Sequence, residues 1–448
     1  MSLSRREFMA ALAAGASALP ALATAQELPT SGRELWDFVR QQAVVDRGVA
    51  WLNTAVSGPS LMRVLIEEYR QREARSRNPQ RYAESNNGAT VRDLAETIAT
   101  FLGAQADELT FTTGTTAALG LVANGLDFVA EDEIVTTTHE HAAGIYPWLL
   151  AAKRRGAKVT QVPLPSPLPH PQLVIDALTG AITPRTRVLS FSHVQCTDGS
   201  VLPVRALCEM ARSRNILSVV DGAQAVGMMP LSLRDLGCDF YAGSFHKWLN
   251  GPEGTGFLYL RDAARHRVWP CTVAGQDEWD AAGRDGALAS HAAELRSSWP
   301  AAMRKYCYDF DHLAPLVRSV RPAIEFQRQI GTARVTARVR ELAWYLRMQV
   351  QAVPGLRILS SSHPEVWSGI LAFQLPGIDS AELATRLQRD HGIAVSALRL
   401  PGANFEGLRA ATHVYNTHDD IDRLATSVRR LAAWVLRPGR VAGRPSSN

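Results

Sequence analysis

Residues 216–247, ILSVVDGAQAVGMMPLSLRDLGCDFYAGSFHK, decide how the rest of the chain is interpreted. The apolar run 216–220 predicts a buried strand that delivers Asp221 at its carboxyl end. A second short run, 238–242, predicts a neighbouring strand that is followed closely by Lys247. The carboxyl ends of adjacent parallel strands lie at one edge of a sheet. The sequence therefore predicts that this acid and this lysine are close together.

An acid and a lysine so placed are the two groups that pyridoxal phosphate chemistry requires. The amine forms a Schiff base with the aldehyde, and the carboxylate keeps the pyridine nitrogen protonated so that the ring accepts carbanion electrons. The alternative is that Asp221 caps a helix and Lys247 is a surface charge. Only four of the 48 Lys and Arg residues are lysines, so a surface cation here is usually arginine, which cannot form a Schiff base. This favours the cofactor interpretation.

Composition limits the other classes of protein to which the chain could belong. A chain of 448 residues exceeds one typical core and predicts two lobes, and 46% hydrophobic with 20% charged residues is typical of a soluble globular protein. The net charge of +5 is mild and the basic residues are scattered, so no nucleic-acid partner is expected. The five cysteines have neither CxxC nor metal-site spacing, so no metal is expected. Cys208 and Cys238 lie in apolar runs and are predicted core residues.

The amino terminus predicts export. Residues 4–9, SRREFM, form a twin-arginine signal that precedes an alanine-rich apolar stretch, and Ala23-Thr24-Ala25 supplies a small-x-small cleavage pattern. The stretch is too short to span a bilayer, and no stable membrane insertion is expected elsewhere. We therefore expect the twin-arginine export machinery as a partner and a mature chain from Gln26 that works in the periplasm or outside the cell.

Between residues 60 and 260, short apolar runs alternate with amphipathic helical patterns, which predicts an α/β fold with a mostly parallel sheet. The predicted strands are 109–112, 133–137, 158–162, 187–191, 216–220, 240–242 and 256–260. The helices between them include 117–126, 147–155 and 205–214.

A smaller α+β lobe is predicted at the carboxyl end. It consists of helices 316–330 and 334–350, strands 356–359, 370–375 and 393–396, and a final helix 419–436. Residues 271–300 look like an irregular connection. The predicted division is a signal peptide (1–25), an N-terminal arm (26–60), a large cofactor-binding domain (61–310), a small C-terminal domain (311–438) and a tail (439–448).

Two further motifs follow predicted strands. Gly114, Thr115 and Thr116 stand between a strand and a helix, where backbone amides and hydroxyls are suited to holding a phosphate, although threonine-rich helix starts are common. His141, in the run THEH at 138–141, places a flat imidazole where it can stack on a pyridine ring. Alternatively, His139 and His141 have no role or form a metal pair.

As an ordered set, these motifs resemble the class V aminotransferases, a branch of the fold-type I pyridoxal phosphate enzymes that includes cysteine desulfurases and isopenicillin N epimerase. The resemblance covers residues 51–436. It rests on residues 113–116 (TGTT), 140–141 (EH), 221–224 (DGAQ), 244–248 (SFHKW), 251–256 (GPEGTG), Arg409 and 415–417 (YNT). It implies a homodimer in which each chain has a large domain, with a mostly parallel sheet flanked by helices, and a smaller α+β C-terminal domain.

The resemblance also implies residue roles. Lys247 is the Schiff-base lysine, Asp221 contacts the pyridine nitrogen and His141 stacks on the ring. Arg409 binds the substrate carboxylate in a bidentate fork, and Asn53 belongs to an amino-terminal loop that reaches the substrate. The remaining cofactor-binding residues are Gln224 at the ring oxygen and, around the phosphate, Gly114, Thr115, Thr116, Ser244 and His246.

Four departures from the family pattern narrow the function. Residues 396–407 contain no cysteine, which argues against sulfur abstraction from cysteine. The asparagine usual near the ring oxygen is replaced around Gln195-Cys196, as in the epimerase-like branch. The Gly-Thr pair through which a neighbouring subunit touches the phosphate is not visible near 310–312. Ala411 stands where a serine often follows the arginine.

Trp248 and residues 202–204 (LPV) also favour the epimerase-like branch. We therefore expect a pyridoxal phosphate enzyme acting at Cα of an amino acid or a related compound. Epimerisation is the first expectation, β-elimination or C–S lysis the second, and transamination the third. A cofactor-free exported binding protein on the same fold is the alternative from another class.

Overall fold

The computed structural model describes residues 28–29, 32–46, 48–271, 298–307 and 310–435. The predicted signal peptide, the predicted tail and most of the predicted irregular connection lie outside these residues. The boundaries of the predicted arm and of the two predicted domains stay predictions.

Thirteen strands are present in the described residues. In chain order they are β1 (Ala50–Trp51), β2 (Leu109–Thr112), β3 (Glu133–Thr137), β4 (Lys158–Val162), β5 (Thr186–Ser192), β6 (Leu217–Asp221), β7 (Phe240–Ser244), β8 (Gly256–Leu260), β9 (Arg357–Ile358), β10 (Ile370–Gln374), β11 (Ile393–Ala394), β12 (Ser396–Leu400) and β13 (Phe405–Ala411).

Sixteen α-helices accompany them in the same part of the chain. They are α1 (Gly32–Gln42), α2 (Met62–Arg77), α3 (Pro79–Glu84), α4 (Gly88–Leu102), α5 (Thr115–Gly125), α6 (Ala142–Arg155), α7 (Pro171–Ala181), α8 (Val204–Ser213), α9 (Leu233–Leu236), α10 (Asp262–Arg265), α11 (Ala301–Tyr306), α12 (Phe310–Arg318), α13 (Arg321–Ile330), α14 (Thr332–Gln351), α15 (Ser380–His391) and α16 (His418–Val435).

A seven-stranded sheet in the order β2-β8-β7-β6-β5-β3-β4 is the centre of the fold. Its strands are parallel except for β8, which is antiparallel to both β2 and β7. Neighbouring side chains of one strand lie on opposite faces: Ile134 belongs to the same hydrophobic core as Leu119 of α5, whereas Val135 belongs to the core on the other face. Because helices cover both faces, the central strands are mostly apolar, which is why their runs are visible in the sequence.

The strand ends differ slightly from the prediction, in a way that matters for function. β2, β3, β4 and β8 have the predicted bounds, but β5, β6 and β7 extend to Ser192, Asp221 and Ser244. In the parallel ladder Ser192 pairs with Asp221, which pairs with Ala242. The polar residues that follow the apolar runs are therefore fixed by the sheet itself.

A second, antiparallel sheet has the order β12-β13-β10-β9, and the short strands β1 and β11 pair in parallel. The predicted helix 316–330 is wrong as a single element: α12 ends at Arg318 and α13 begins at Arg321, with Pro322 in its first turn. The predicted strand 393–396 is divided into β11 and β12, and β13 was not predicted. Within the described residues, none of the helices has the length and hydrophobicity needed to cross a membrane.

Candidate active site

A cavity of about 380 Å³ lies where β5, β6 and β7 end and α5 and α6 begin. The second sheet and the segment after β1 close its other side. All but one of the predicted site residues line it, and the exception is Asn53. The predicted residues in its wall are Gly114, Thr115, Thr116, His141, Asp221, Gln224, Ser244, His246, Lys247 and Arg409.

The start of α5 forms one end of the cavity. Gly114, the residue that precedes the helix, has φ 150° and no side chain that could cap it. The Thr115 amide donates to Ser244 Oγ at 3.0 Å, and the two hydroxyl oxygens are 2.8 Å apart. A Cβ on Gly114 would lie 3.5 Å from Ser244 Oγ and 3.8 Å from His246 Cε1, so a larger residue would fill the space between them. A helix start with hydroxyl groups around it is suited to an anion such as phosphate.

Lys247 and Asp221 both line the cavity and carry charges of opposite sign. Oδ1 of Asp221 accepts a hydrogen bond from the Ala223 amide at 2.9 Å. Burial raises the pKa of Asp221, while that hydrogen bond and the charge of Lys247 oppose the rise. Burial lowers the pKa of Lys247, and the charge of Asp221 opposes the fall. The lowered pKa of the lysine makes its neutral, nucleophilic amine easier to form.

The two histidines of the run 138–141, His139 and His141, lie in different surroundings. His141 caps α6: its Nδ1 accepts from the Ala143 amide at 3.1 Å, which fixes the ring at the cavity. Desolvation and then the charge of Lys247 lower the pKa of His141, so the ring is neutral near pH 7. His139 is buried elsewhere, with its ring nitrogens 2.9 Å from Thr197 Oγ1 and 3.0 Å from the Leu164 carbonyl. The pair is therefore not arranged as two ligands of one metal.

Arg409 is the cation on the side away from the large sheet. It lies in β13, buried, and its Nη1 donates to the Cys196 carbonyl at 2.6 Å. Within the described residues its buried Nε has no hydrogen-bond partner. A buried guanidinium with an unused donor is suited to a carboxylate ligand. Arg399, by contrast, is exposed and does not line the cavity.

The segment after β1 packs directly on the backbone of Lys247. The Gly58 amide donates to the His246 carbonyl at 2.8 Å, and a Cβ on Gly58 would lie 2.0 Å from the carbonyl oxygen of Lys247. Gln224 links the same parts: its Nε2 donates to the Ala55 carbonyl at 2.9 Å, and its Oε1 accepts from Trp248 Nε1 at 2.8 Å. The hydrogen bonds of Gln224 therefore go to the protein, beside the cavity that it lines.

Asn53 lies just behind the wall, where its Oδ1 accepts from Ser396 Oγ at 2.8 Å. Several wall residues were not among the predicted site residues, namely Ala55, Val56, Ser192, Val194, Cys196, Ser396 and Leu398. The sequence does place residues 192–199 directly after the predicted strand 187–191, at the edge of the sheet where ligands bind, and period-two alternation along β12 relates Ser396 to Leu398. For Ala55 and Val56, no sequence pattern indicates a place in the cavity wall.

Comparison with known proteins places the chain in a family. A family model described as aminotransferase class-V matches residues 53–294 and 312–424. The chain is 35% identical to the isopenicillin N epimerase of Amycolatopsis lactamdurans, covering 89% of this chain and 98% of that protein. The isopenicillin N epimerase of Streptomyces clavuligerus is 33% identical, with 88% and 97% covered. A probable cysteine desulfurase of Xylella fastidiosa is 31% identical, with 74% and 77% covered.

Solved structures agree on the fold. A cysteine desulfurase from Escherichia coli superposes with a TM-score of 0.72 at 25% identity, with 90% of this chain and 99% of that chain covered. A C-DES mutant with glycine covalently linked to its PLP cofactor gives a TM-score of 0.73 at 22% identity, with 88% and 98% covered. The chain therefore belongs to the aminotransferase class-V family. It is a pyridoxal phosphate-dependent enzyme of fold type I, and the start of α5 with Asp221 and Lys247 fits that cofactor.

Proposed function

We propose that the enzyme epimerises an amino-acid centre, in the manner of the isopenicillin N epimerases. The observation that carries the proposal is the extent of the match: the epimerase of Amycolatopsis lactamdurans aligns over 98% of its length, against 77% for the desulfurase of Xylella fastidiosa. The absence of cysteine from residues 396–407 supports it, because sulfur abstraction needs a thiol there.

Different residues of the cavity have different roles in the proposed reaction. When bound, pyridoxal phosphate supplies a ring that accepts the electrons of a carbanion at Cα. In the proposed reaction Lys247 would hold the cofactor, and its free amine would take the proton from one face of Cα; epimerisation is complete when a proton returns to the opposite face. Asp221 would hold the proton on the pyridine nitrogen, and His141 would lie against the ring. Arg409 holds the substrate carboxylate, which fixes the bond at Cα that is broken.

The lysine assignment is tested by reduction with borohydride. We expect the purified protein to show the absorption band of a lysine-bound cofactor, which reduction bleaches while fixing the cofactor on Lys247, as mass spectrometry of peptides would show. Lys247→Ala should lose the band, and Lys153→Ala, a change of an exposed lysine on α6, should keep it. Retention of the same band in Lys247→Ala would refute the assignment.

The fate of the substrate is tested in deuterated water. Isopenicillin N and free amino acids should exchange the Cα hydrogen for deuterium and lose optical purity if the reaction is epimerisation. Release of pyruvate or ammonia would replace the proposal with β-elimination or C–S lysis, and formation of a 2-oxo acid with an aminated cofactor would replace it with transamination.

We also propose that the enzyme is exported through the twin-arginine pathway to the periplasm. The run SRREFM at 4–9 and the pattern at Ala23-Thr24-Ala25 support this proposal. Export of the folded chain lets the cofactor be acquired beforehand. Changing Arg5 and Arg6 together to lysine should retain the protein in the cytoplasm, whereas the exported protein should begin near Gln26 by terminal sequencing. Equal export of both forms would contradict the proposal.

We further propose a homodimer. Large apolar side chains on α2 and at the cavity mouth are exposed, with Val56, Met62, Leu65 and Tyr69 between 38% and 50% accessible. Met62, Leu65 and Tyr69 share one face of α2 by their spacing, and such exposed apolar groups favour association with a second protein surface. Sedimentation should give twice the chain mass, and Leu65→Glu should shift it towards the monomer; a monomeric wild-type enzyme would contradict the proposal.

A further inference from the structure

Glu140 is a buried carboxyl group beside the cavity that the proposed reaction does not use. Its Oε1 accepts hydrogen bonds from the Thr137 hydroxyl at 2.7 Å and from the Ser192 amide at 3.3 Å. Its Oε2 accepts from the Ser192 hydroxyl at 2.6 Å. Three donors to one buried carboxyl group compensate the loss of water around a negative charge. These three hydrogen bonds therefore favour the anionic form of the carboxyl group.

That anion would lie next to Asp221. Ser192, which donates twice to Glu140, is the ladder partner of Asp221 between β5 and β6. A Cβ placed on Gly144 would lie 3.5 Å from Glu140 Oε2 and 3.6 Å from Asp221 Oδ2, so the two carboxyl groups flank one small space. Glycine at 144 leaves that space open at the start of α6, where the helix dipole favours negative charge.

Burial and hydrogen bonding have opposite effects on the charge of Glu140. Burial raises the pKa of Glu140 to about 7; the hydrogen bonds from Ser192 and Thr137 oppose the rise, and the charge of Asp221 adds to it. The other ionisable groups nearby are His141, which follows it in the chain, and the Cys196 thiol from the segment after β5. Lys247 and Arg409 also act on that thiol. Glu140 therefore changes its charge near neutral pH.

We propose that Glu140 is a positioning residue that forms a carboxyl pair with Asp221, and that its negative charge helps Asp221 to keep a proton on the pyridine nitrogen of the cofactor. The inference rests on the proposed function, because that function places the pyridine nitrogen at Asp221. Glu140 does not line the cavity, so it acts through Asp221, which does. It acts because a second negative charge behind Asp221 makes a nearby proton harder to lose.

The test uses the holoenzyme reconstituted with cofactor labelled with ¹⁵N in the ring. The ring-nitrogen chemical shift reports its protonation directly, without any turnover. In Glu140→Gln, which keeps the shape and removes the charge, the ring nitrogen should lose its proton at a pH lower by roughly half to one unit. Glu133→Gln is the matched control, since Glu133 is a buried glutamate at the far end of β3. It should leave the ring titration unchanged.

Ser192→Ala provides a second variant that keeps the carboxyl group. Losing the hydroxyl removes one donor to Glu140 Oε2, so the ring titration should move in the same direction by a smaller amount. An unchanged titration in both variants, accompanied only by a lower melting temperature, would show a structural role and overturn the inference alone. A wild-type protein without the band of a lysine-bound cofactor would overturn the proposed function and this inference with it.

Discussion

The two walls of the cavity are built differently. We call one of them the cofactor wall; it consists of residues 114–116, Asp221, Ser244 and Lys247. These residues lie at strand ends of the seven-stranded sheet and at the start of the helix that follows β2. The substrate wall, made of Ala55, Val56, Ser396, Leu398 and Arg409, comes from the second sheet and from the segment after β1.

The contacts that hold the two walls differ accordingly. Asp221 is held by the ladder of adjacent parallel strands and by an amide two residues away. Ser396 is held by Asn53, 343 positions earlier in the chain, and Arg409 by the carbonyl of Cys196, 213 positions earlier. The cofactor wall is therefore set within one element of the fold, whereas the substrate wall depends on docking between elements. Changes in the first should alter cofactor chemistry, and changes in the second should alter substrate selection.

Asp221→Asn should have the largest effect. In the proposed function it removes the charge that holds the pyridine-nitrogen proton, and breaking a buried charged pair costs roughly 3–5 kcal/mol, or about two to four orders of magnitude in kcat/KM. The spectrum of the lysine-bound cofactor should change as well, since the proposal places the ring against this wall. Absorption titration with steady-state kinetics measures both. A loss confined to KM would mean that Asp221 belongs to the substrate wall.

Acid should destabilise both walls through a buried histidine behind each. His193 is hydrogen-bonded to the Tyr241 hydroxyl, and His413 is hydrogen-bonded to the Trp248 carbonyl. Both side chains are buried, and burial lowers the pKa of each to about 4. Both stay neutral in the fold but take up protons from about pH 6.5 when unfolded. The unfolding free energy they contribute is thus complete above pH 6.5 and is lost as the pH falls towards 4, about 3 kcal/mol each.

Urea unfolding at a series of pH values measures this loss. His193→Gln and His413→Gln should each remove one proton from the pH dependence between 6.5 and 4 while leaving the other wall's contribution intact. Identical slopes in the wild type and both variants would show that neither histidine is the acid-sensitive group.

Arg409→Lys should affect the substrate wall alone. Lysine keeps the charge but loses the planar fork, so we expect a loss of roughly 2–4 kcal/mol in transition-state stabilisation with the cofactor band unchanged. Arg399→Lys is the matched control, because this exposed arginine on β12 does not line the cavity. Unchanged turnover of a carboxylate substrate in Arg409→Lys would show that Arg409 does not bind the substrate carboxylate.

Ser396→Ala should have the smallest effect. It removes the hydrogen bond to Asn53 Oδ1, which is worth about 1 kcal/mol, so KM should rise roughly fivefold. Cofactor affinity, measured by fluorescence titration, should stay at the wild-type value. A change in cofactor affinity of the same size would show that the two walls are coupled.

The contrast between the walls also explains what could be predicted. Asp221 and Lys247 were found because apolar runs reveal buried parallel strands, and such strands end at one edge. The helix 316–330 was mispredicted because apolar spacing continues across the break between Arg318 and Arg321. Glu140 gave no separate signal, since a glutamate after a strand is usually solvated, and only its contacts with Thr137 and Ser192 distinguish it.

The sequence by itself determined the family, the large sheet and the order of the chemical groups along it, because hydrophobic periodicity and short motifs act over a few residues. Only the tertiary structure decided that Gly58 rests on the carbonyl of Lys247, that Arg409 is held by Cys196 and that Glu140 lies beside Asp221. The physical reason is distance along the chain. Contacts between segments far apart in sequence depend on how whole elements pack, and no local pattern records that packing.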